Sequence, residues 1–300
     1  MSTVIVTGAS GLIGTALCSS LEADGHSVIR LVRQGRDGSG RVLWNPRAAD
    51  TSGIPAGTLD GADAVVHLAG AGVGDKRWTD AYKREILESR ILSTQTVAAA
   101  IAAAEHKPRV LISASAIGFY GDTGDSAVDE DSKPGSGFLA DVVVQWERSA
   151  EAAREAGVRV AHPRTGLVIS KWGGAWQRML PLFKAGLGGK LGSGQQWWSW
   201  ISLRDEVRAL RFLIDSEISG PVNLTAPNPI TNAAVTAAMG RALKRPALLP
   251  APAFALKAAL GEFSVEVLGS ARVVPTRLQA AGFTWLDPTI EGALKTLLAE

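Results

Sequence analysis

Chemistry is written most directly into the run Thr7-Gly8-Ala9-Ser10-Gly11-Leu12-Ile13-Gly14. A helix starting here presents unpaired N–H groups and about half a positive charge, which suits the pyrophosphate of a dinucleotide. Gly8 permits the tight turn, Gly11 the close approach of a phosphate, and Gly14 the packing of the helix on the preceding strand. Ser10, Leu12 and Ile13 complete the expected cofactor contacts of the turn. The alternative is a glycine-rich turn that binds nothing; a strand before it and a helix after it favour the dinucleotide. The next strand ends Leu31-Val32-Arg33, with Arg36 following and no acid before Asp37. An acid there would hold the ribose hydroxyls of NAD, whereas a guanidinium pairs with a 2′-phosphate. Arg33 therefore predicts NADP(H), through a bond worth about 1.5–3 kcal/mol. A solvated loop arginine is its other reading.

Aromatic and acidic clusters add weaker signals. The glycine-rich residues 186–194 lead into Gln195-Gln196-Trp197-Trp198-Ser199-Trp200. Indoles give flat apolar walls, so Trp197, Trp198 and Trp200 are expected to roof a substrate pocket near Met179 and Phe183 or to pack between lobes. Asp129-Glu130-Asp131 reads as a solvated loop, and Asp141 and Glu147 as exposed helix carboxylates. Arg164 follows a strand at a sheet edge of the kind where doubly wound folds bind ligands. It would touch cofactor or substrate, or pair with an acid of a second lobe.

These residues need elements to hold them. Apolar runs at 3–7, 27–32, 64–68, 110–113 and 158–162 alternate with helical patterns at 11–24, 79–104 and 138–156, the signature of βαβ units. Pro163 is expected to break the last of these strands. The expected fold is α/β: a doubly wound parallel sheet (Rossmann) with a second, smaller, mostly helical C-terminal lobe. Residues 1–165 plus 201–225 would form the dinucleotide-binding domain, and 166–200 plus 226–300 the smaller substrate lobe.

Composition excludes other classes. Three hundred residues, 46% hydrophobic, with 31 basic and 29 acidic side chains leave a net charge of +2, too little for a nucleic-acid footprint. One cysteine (Cys18) and four histidines exclude a disulfide scaffold and a Cys/His zinc cluster, so no metal is expected. Neither a secretory signal nor a membrane span is read, and a cytoplasmic location is expected. The assembly state is open, a homo-oligomer included.

With Asp63-Ala-Val-Val-His67-Leu-Ala-Gly70 added, the chain resembles the extended short-chain dehydrogenase/reductases, in particular the atypical "epimerase family" branch often labelled nucleoside-diphosphate-sugar epimerases. Lys76-Arg77-Trp78-Thr79, Ser89-Arg90, Phe119-Tyr120-Gly121, Trp146-Glu147, Arg164-Thr165-Gly166 and Trp200-Ile201-Ser202 carry the resemblance, as does Ala281-Gly-Phe283 near the end. It implies that His67, Leu68 and Ala69 run past the adenosine and pyrophosphate, that Arg84 and Ser89 face the cofactor, and that Arg164 touches cofactor or substrate. Active members use Tyr-x-x-x-Lys plus a serine, the tyrosine moving a proton at the substrate oxygen. Here the two tyrosines, Tyr82 and Tyr120, are followed four residues on by Ile86 and Gly124. Leu139 and Val143 fall where the tyrosine and lysine would stand. Tyr120 is the substitute acid and Ser115 the candidate serine, each with a structural alternative. The resemblance implies an NADP(H)-dependent oxidoreductase or epimerase on a small carbonyl, sugar or nucleotide-sugar. A weak or inactive NADP(H) sensor is the alternative.

Overall fold

The computed structural model describes residues 1–35, 38 and 40–299. Its main sheet runs in the order Gly220–Leu224, Arg159–Thr165, Val110–Ser113, Ala64–His67, Thr3–Thr7, Ser27–Val32, Arg41–Leu43. Every neighbouring pair is parallel, and the short strand Ser115–Ala116 extends the ladder beside Arg159–Thr165. From Thr3–Thr7 the chain winds outward to Arg41–Leu43, returns, and winds the other way from Ala64–His67. That reversal opens a crevice at the carboxyl ends of these two central strands. The doubly wound fold is the one expected.

Parallel strands buried on both faces must be apolar throughout. Val4, Ile5, Val6, Ala64, Val65, Val66, Val110, Leu111 and Ile112 meet that demand, all of them solvent-free or nearly so. Helices Leu12–Ala23 and Leu203–Asp215 cover one face through Leu17, Leu21, Leu210 and Leu213. Asp80–Ala103 and Glu151–Glu155 cover the other through Val97, Ala98, Ile101 and Ala153. A separate core of Trp176, Leu180, Trp198, Trp200, Met239 and Leu294 holds the smaller, largely helical C-terminal region.

Two boundaries differ from expectation. The predicted helix 138–156 divides into Phe138–Arg148 and Glu151–Glu155. Ser149 Oγ donates to the Gln145 carbonyl (2.8 Å) at the division, and Ala150 there is fully buried. A hydroxyl bonding back to an i−4 carbonyl is a common cause of a bend. The strand 158–162, expected to stop at Pro163, continues as Arg159–Thr165. Pro163 falls between Ala161, which pairs with Ile112, and Arg164, which pairs with Ser115, so its missing N–H coincides with a break in that ladder.

Candidate functional site

Thr7 ends the first strand at the crevice and organises it. Its Oγ1 accepts the amides of Leu68 (3.1 Å) and Ala69 (3.3 Å), which leaves its own proton for Nδ1 of His67 (2.7 Å). The imidazole then carries its hydrogen on Nε2 and donates to Ser93 Oγ (3.1 Å). Ser93 Oγ in turn donates to the Ser89 carbonyl (2.6 Å). Burial pushes His67 down to about 3, so the ring is neutral. Both ring nitrogens are occupied in holding the turn, and His67 can offer a ligand only its backbone.

The glycines are sterically required. Gly8 has φ +65°, and a Cβ on it would lie 2.7 Å from the carbonyl carbon and oxygen of Leu68. A Cβ on Gly14 would lie 2.3 Å from the Gly8 oxygen. The Gly11 amide donates to that same oxygen (2.9 Å) and opens the helix with no side-chain cap. Ser10 and Gly11 are exposed, and Leu12 and Ile13 half-buried. The helix therefore starts uncapped over a cradle of backbone that packs this closely only because Gly8 and Gly14 carry no side chain. That fits a pyrophosphate.

Around this cradle the other expected residues are unevenly placed. Leu68 and Ala69 lie half-buried against Gly8. Ser89 Oγ accepts the Ala71 amide (3.1 Å), while Arg90 Nη1 donates to the Ala71 carbonyl (2.9 Å), so adjacent helix residues hold both backbone polar groups of one loop residue. Arg33 is exposed at the end of its strand, and its side chain has no partner among the described residues. Arg84 is likewise exposed without one. Arg36 and Asp37 lie outside the described residues.

Ser115, Tyr120 and Arg164 come together in one buried network. Arg164 donates from Nε (2.8 Å) and Nη2 (2.9 Å) to the Glu147 carboxylate, and Ser115 Oγ donates to the same carboxylate (2.6 Å). Arg164 Nη1 donates to the Tyr120 hydroxyl (3.0 Å), which donates to Asn223 Oδ1 (2.7 Å). The Arg164 guanidinium lies 3.4 Å from the Phe119 ring centroid. Burial pushes the Tyr120 phenol up to about 12, against the pull of Arg164. Burial would also raise Glu147, but Arg164 beside it holds the carboxyl below its ordinary value. Arg164 pairs with Glu147 of helix Phe138–Arg148 and not with an acid from residues 166–200 or 226–300.

Several expectations are corrected. Glu147 is no exposed carboxylate; its side chain is 14% exposed and pinned by Arg164. Glu130 is buried instead of solvated, accepting the amides of Asn223 (2.9 Å) and Arg277 (3.3 Å). Of the indoles expected to share a roof, Trp200 is sealed in the second core. Trp198 lines an apolar cavity of about 80 Å³ with Met179 and Phe183. Trp197 donates to Asp125 (3.0 Å) under the Arg272 guanidinium. Leu139 and Val143 are apolar and at least half-buried. Asn223 was not singled out by sequence, and Arg90 and Glu130 were given no role in the site, because their importance lies in contacts to distant residues.

Comparison with known proteins gives these features a setting. Residues 4–225 match the NAD dependent epimerase/dehydratase family, and residues 251–297 match a domain of unknown function, DUF1731. The epimerase family protein Mb2239 of Mycobacterium bovis is 46% identical over 293 residues, covering 97% of this chain and 96% of that one. A chloroplastic SDR39U1 homolog of Arabidopsis thaliana is 39% identical over 306 residues, covering 99% and 86%. The human epimerase family protein SDR39U1, solved with NADPH, superposes with a TM-score of 0.91 at 34% identity, covering 99% of each chain. Among the described residues no helix is long and apolar enough to cross a membrane. The chain belongs to the NAD dependent epimerase/dehydratase family.

Proposed function

We propose that this chain binds NADP(H) and acts as an oxidoreductase or epimerase on a small carbonyl, sugar or nucleotide-sugar. The cradle formed by Gly8 and Gly14 under an uncapped helix start carries the reading. Gly8, Ser10, Gly11, Leu12, Ile13 and Gly14 would hold the pyrophosphate. His67 (through its backbone), Leu68 and Ala69 would line the adenosine, with Ser89 and Arg84 beside them and Arg33 pairing with the 2′-phosphate. The human relative crystallised with NADPH supports this choice. When bound, the nicotinamide supplies two-electron oxidation or reduction at a carbonyl or alcohol carbon.

Tyr120 and Ser115, read from sequence as acid and partner, take a positioning role in this proposal. Each hydroxyl proton is already donated, to Asn223 and Glu147 respectively, and together they fix Arg164 beneath the crevice. Loss of a general acid costs about 10²–10⁴ in rate, so turnover is expected to be slow. The same burial of Tyr120 favours a second reading, an NADP(H) sensor that turns nothing over. The lone, buried Cys18 suits a reducing compartment, and a cytoplasmic location is part of the proposal.

Calorimetric titration with NADPH and NADH tests the binding claim. NADPH is expected to bind at least tenfold tighter; equal affinities would remove Arg33 from the reading, and no heat with either would end it. Absorbance at 340 nm across a carbonyl panel separates the two functions. Tight binding without oxidation leaves the sensor.

A further inference from the structure

Among the described residues, Arg90 is a charge without a counter-ion. It projects from helix Asp80–Ala103, half-buried, and Nη1 donates to two backbone carbonyls, Ala71 (2.9 Å) and Ile86 (3.0 Å). Nε and Nη2 have no acceptor among the described residues, and no carboxylate pairs with it there. Its guanidinium lies 4.9 Å from the Trp146 ring centroid, and the indole is fixed by its Nε1 donating to Thr94 Oγ1 (3.1 Å). Burial pushes Arg90 down to about 10, so it is still charged at neutral pH. Neither Nε nor Nη2 is sealed from solvent, so both donors are open to a ligand in the crevice.

Its position says which ligand. Ala71 belongs to the loop leaving strand Ala64–His67, four residues beyond His67 and three beyond Leu68, against which Gly8 packs. Trp146 belongs to helix Phe138–Arg148, whose Val143 and Ala140 leave that helix without a cation facing the core. A doubly wound sheet places one mononucleotide on each side of its switch point. Arg33 lies on the side of strand Ser27–Val32. Arg90 lies on the other, against the helix that precedes strand Arg159–Thr165.

Resting on the NADP(H) reading above, we propose that Arg90 binds the nicotinamide-ribose half of the cofactor, donating from Nε and Nη2 to its hydroxyl groups. Ser89 and Trp146 position Arg90, the first by fixing the same loop and the second by stacking on its face.

Comparing NADPH with adenosine 2′,5′-bisphosphate, which lacks the nicotinamide half, isolates this contact. Calorimetry on R90Q is expected to show NADPH binding weakened about tenfold. The bisphosphate should bind within twofold of wild type, which also reports that the fold is intact. R90K, keeping the charge, should recover most of the loss. Unchanged NADPH affinity in R90Q, or an equal loss for both ligands, would overturn the assignment. Should R90Q fail to fold, R90K decides instead: a two- to threefold loss of NADPH affinity with the bisphosphate unaffected supports the contact, and no loss, or an equal loss for both ligands, overturns it. Failure of wild type to bind either ligand would instead refute the NADP(H) reading itself.

Discussion

Glu206 is buried beneath Thr165, whose hydroxyl donates to Oε1 (2.8 Å), while Oε2 has no partner among the described residues. Desolvation pushes its carboxyl up to about 8 from an ordinary 4.5. Between those values the folded chain keeps a proton that the unfolded chain has lost, so stability falls as pH rises through this window. His67 and His162 act in the opposite sense. Burial depresses them to about 3 and 4 from 6.5, so stability is lost as pH falls below 6.5 and the unfolded chain gains their protons. E206Q keeps the size and removes the titration. Its unfolding free energy is expected to fall less than that of wild type between pH 5 and 8, the gap widening by up to about 1.4 kcal/mol per pH unit in denaturant titrations. Parallel curves for the two proteins would show that Glu206 is ionised in the fold. None of this was legible in the sequence, in which Glu206 was not singled out. The same holds at Glu147 and Glu130, which became buried only because Arg164 and the amides of Asn223 and Arg277 arrive from elsewhere in the chain.

Elements were easier to read wherever a local signal set them. Thr79 was expected to open the long helix, and its Oγ1 accepts the Tyr82 amide (3.2 Å) as an N-cap. Gly25 and Gly157 close two helices with φ +79° and +83°, values that glycine adopts without strain. Pro163 misled because a proline's effect depends on which strand lies opposite, and the break at Ser113–Ser115 is not a local property. Gly14 tests the junction of strand and helix. Its absent side chain lets the first turn of Leu12–Ala23 lie on the Gly8 carbonyl. Gly14→Ala places a methyl group 2.3 Å from that oxygen, so the helix must move away from the strand. The variant should lose at least tenfold in NADPH affinity and about 1–3 kcal/mol in stability, as over-packing does. Chemical denaturation and calorimetry would check both. Unaltered affinity would mean that the cradle does not hold the pyrophosphate.

At the scale of the whole molecule, residues 70–79 act as a strap between the proposed lobes, 1–165 plus 201–225 and 166–200 plus 226–300. Arg178 Nη1 donates to the Gly74 carbonyl (2.8 Å), and Lys83 pairs with Glu262 (2.8 Å). Trp78 sits between rings of both, 5.0 Å from Phe138 and 5.5 Å from Phe263, with its Nε1 donating to the Val73 carbonyl (2.8 Å). A Cβ on Gly173 would lie 3.2 Å from the Leu12 side chain, so the chain around residue 173 also packs against the turn that opens helix Leu12–Ala23. Ion pairs at this exposed boundary contribute little, roughly 0–1 kcal/mol each. The indole, 8% exposed, is the strong contact, and removing a buried tryptophan costs about 3–5 kcal/mol. Trp78→Ala is therefore expected to loosen the join before the sheet. Hydrogen exchange should accelerate in 70–79 and 261–264 while Ala64–His67 and Val110–Ser113 stay protected. Arg178→Ala should barely alter either. Equal loss of protection in the sheet would mean that Trp78 belongs to one continuous core, and that the lobes do not open separately around the cofactor crevice.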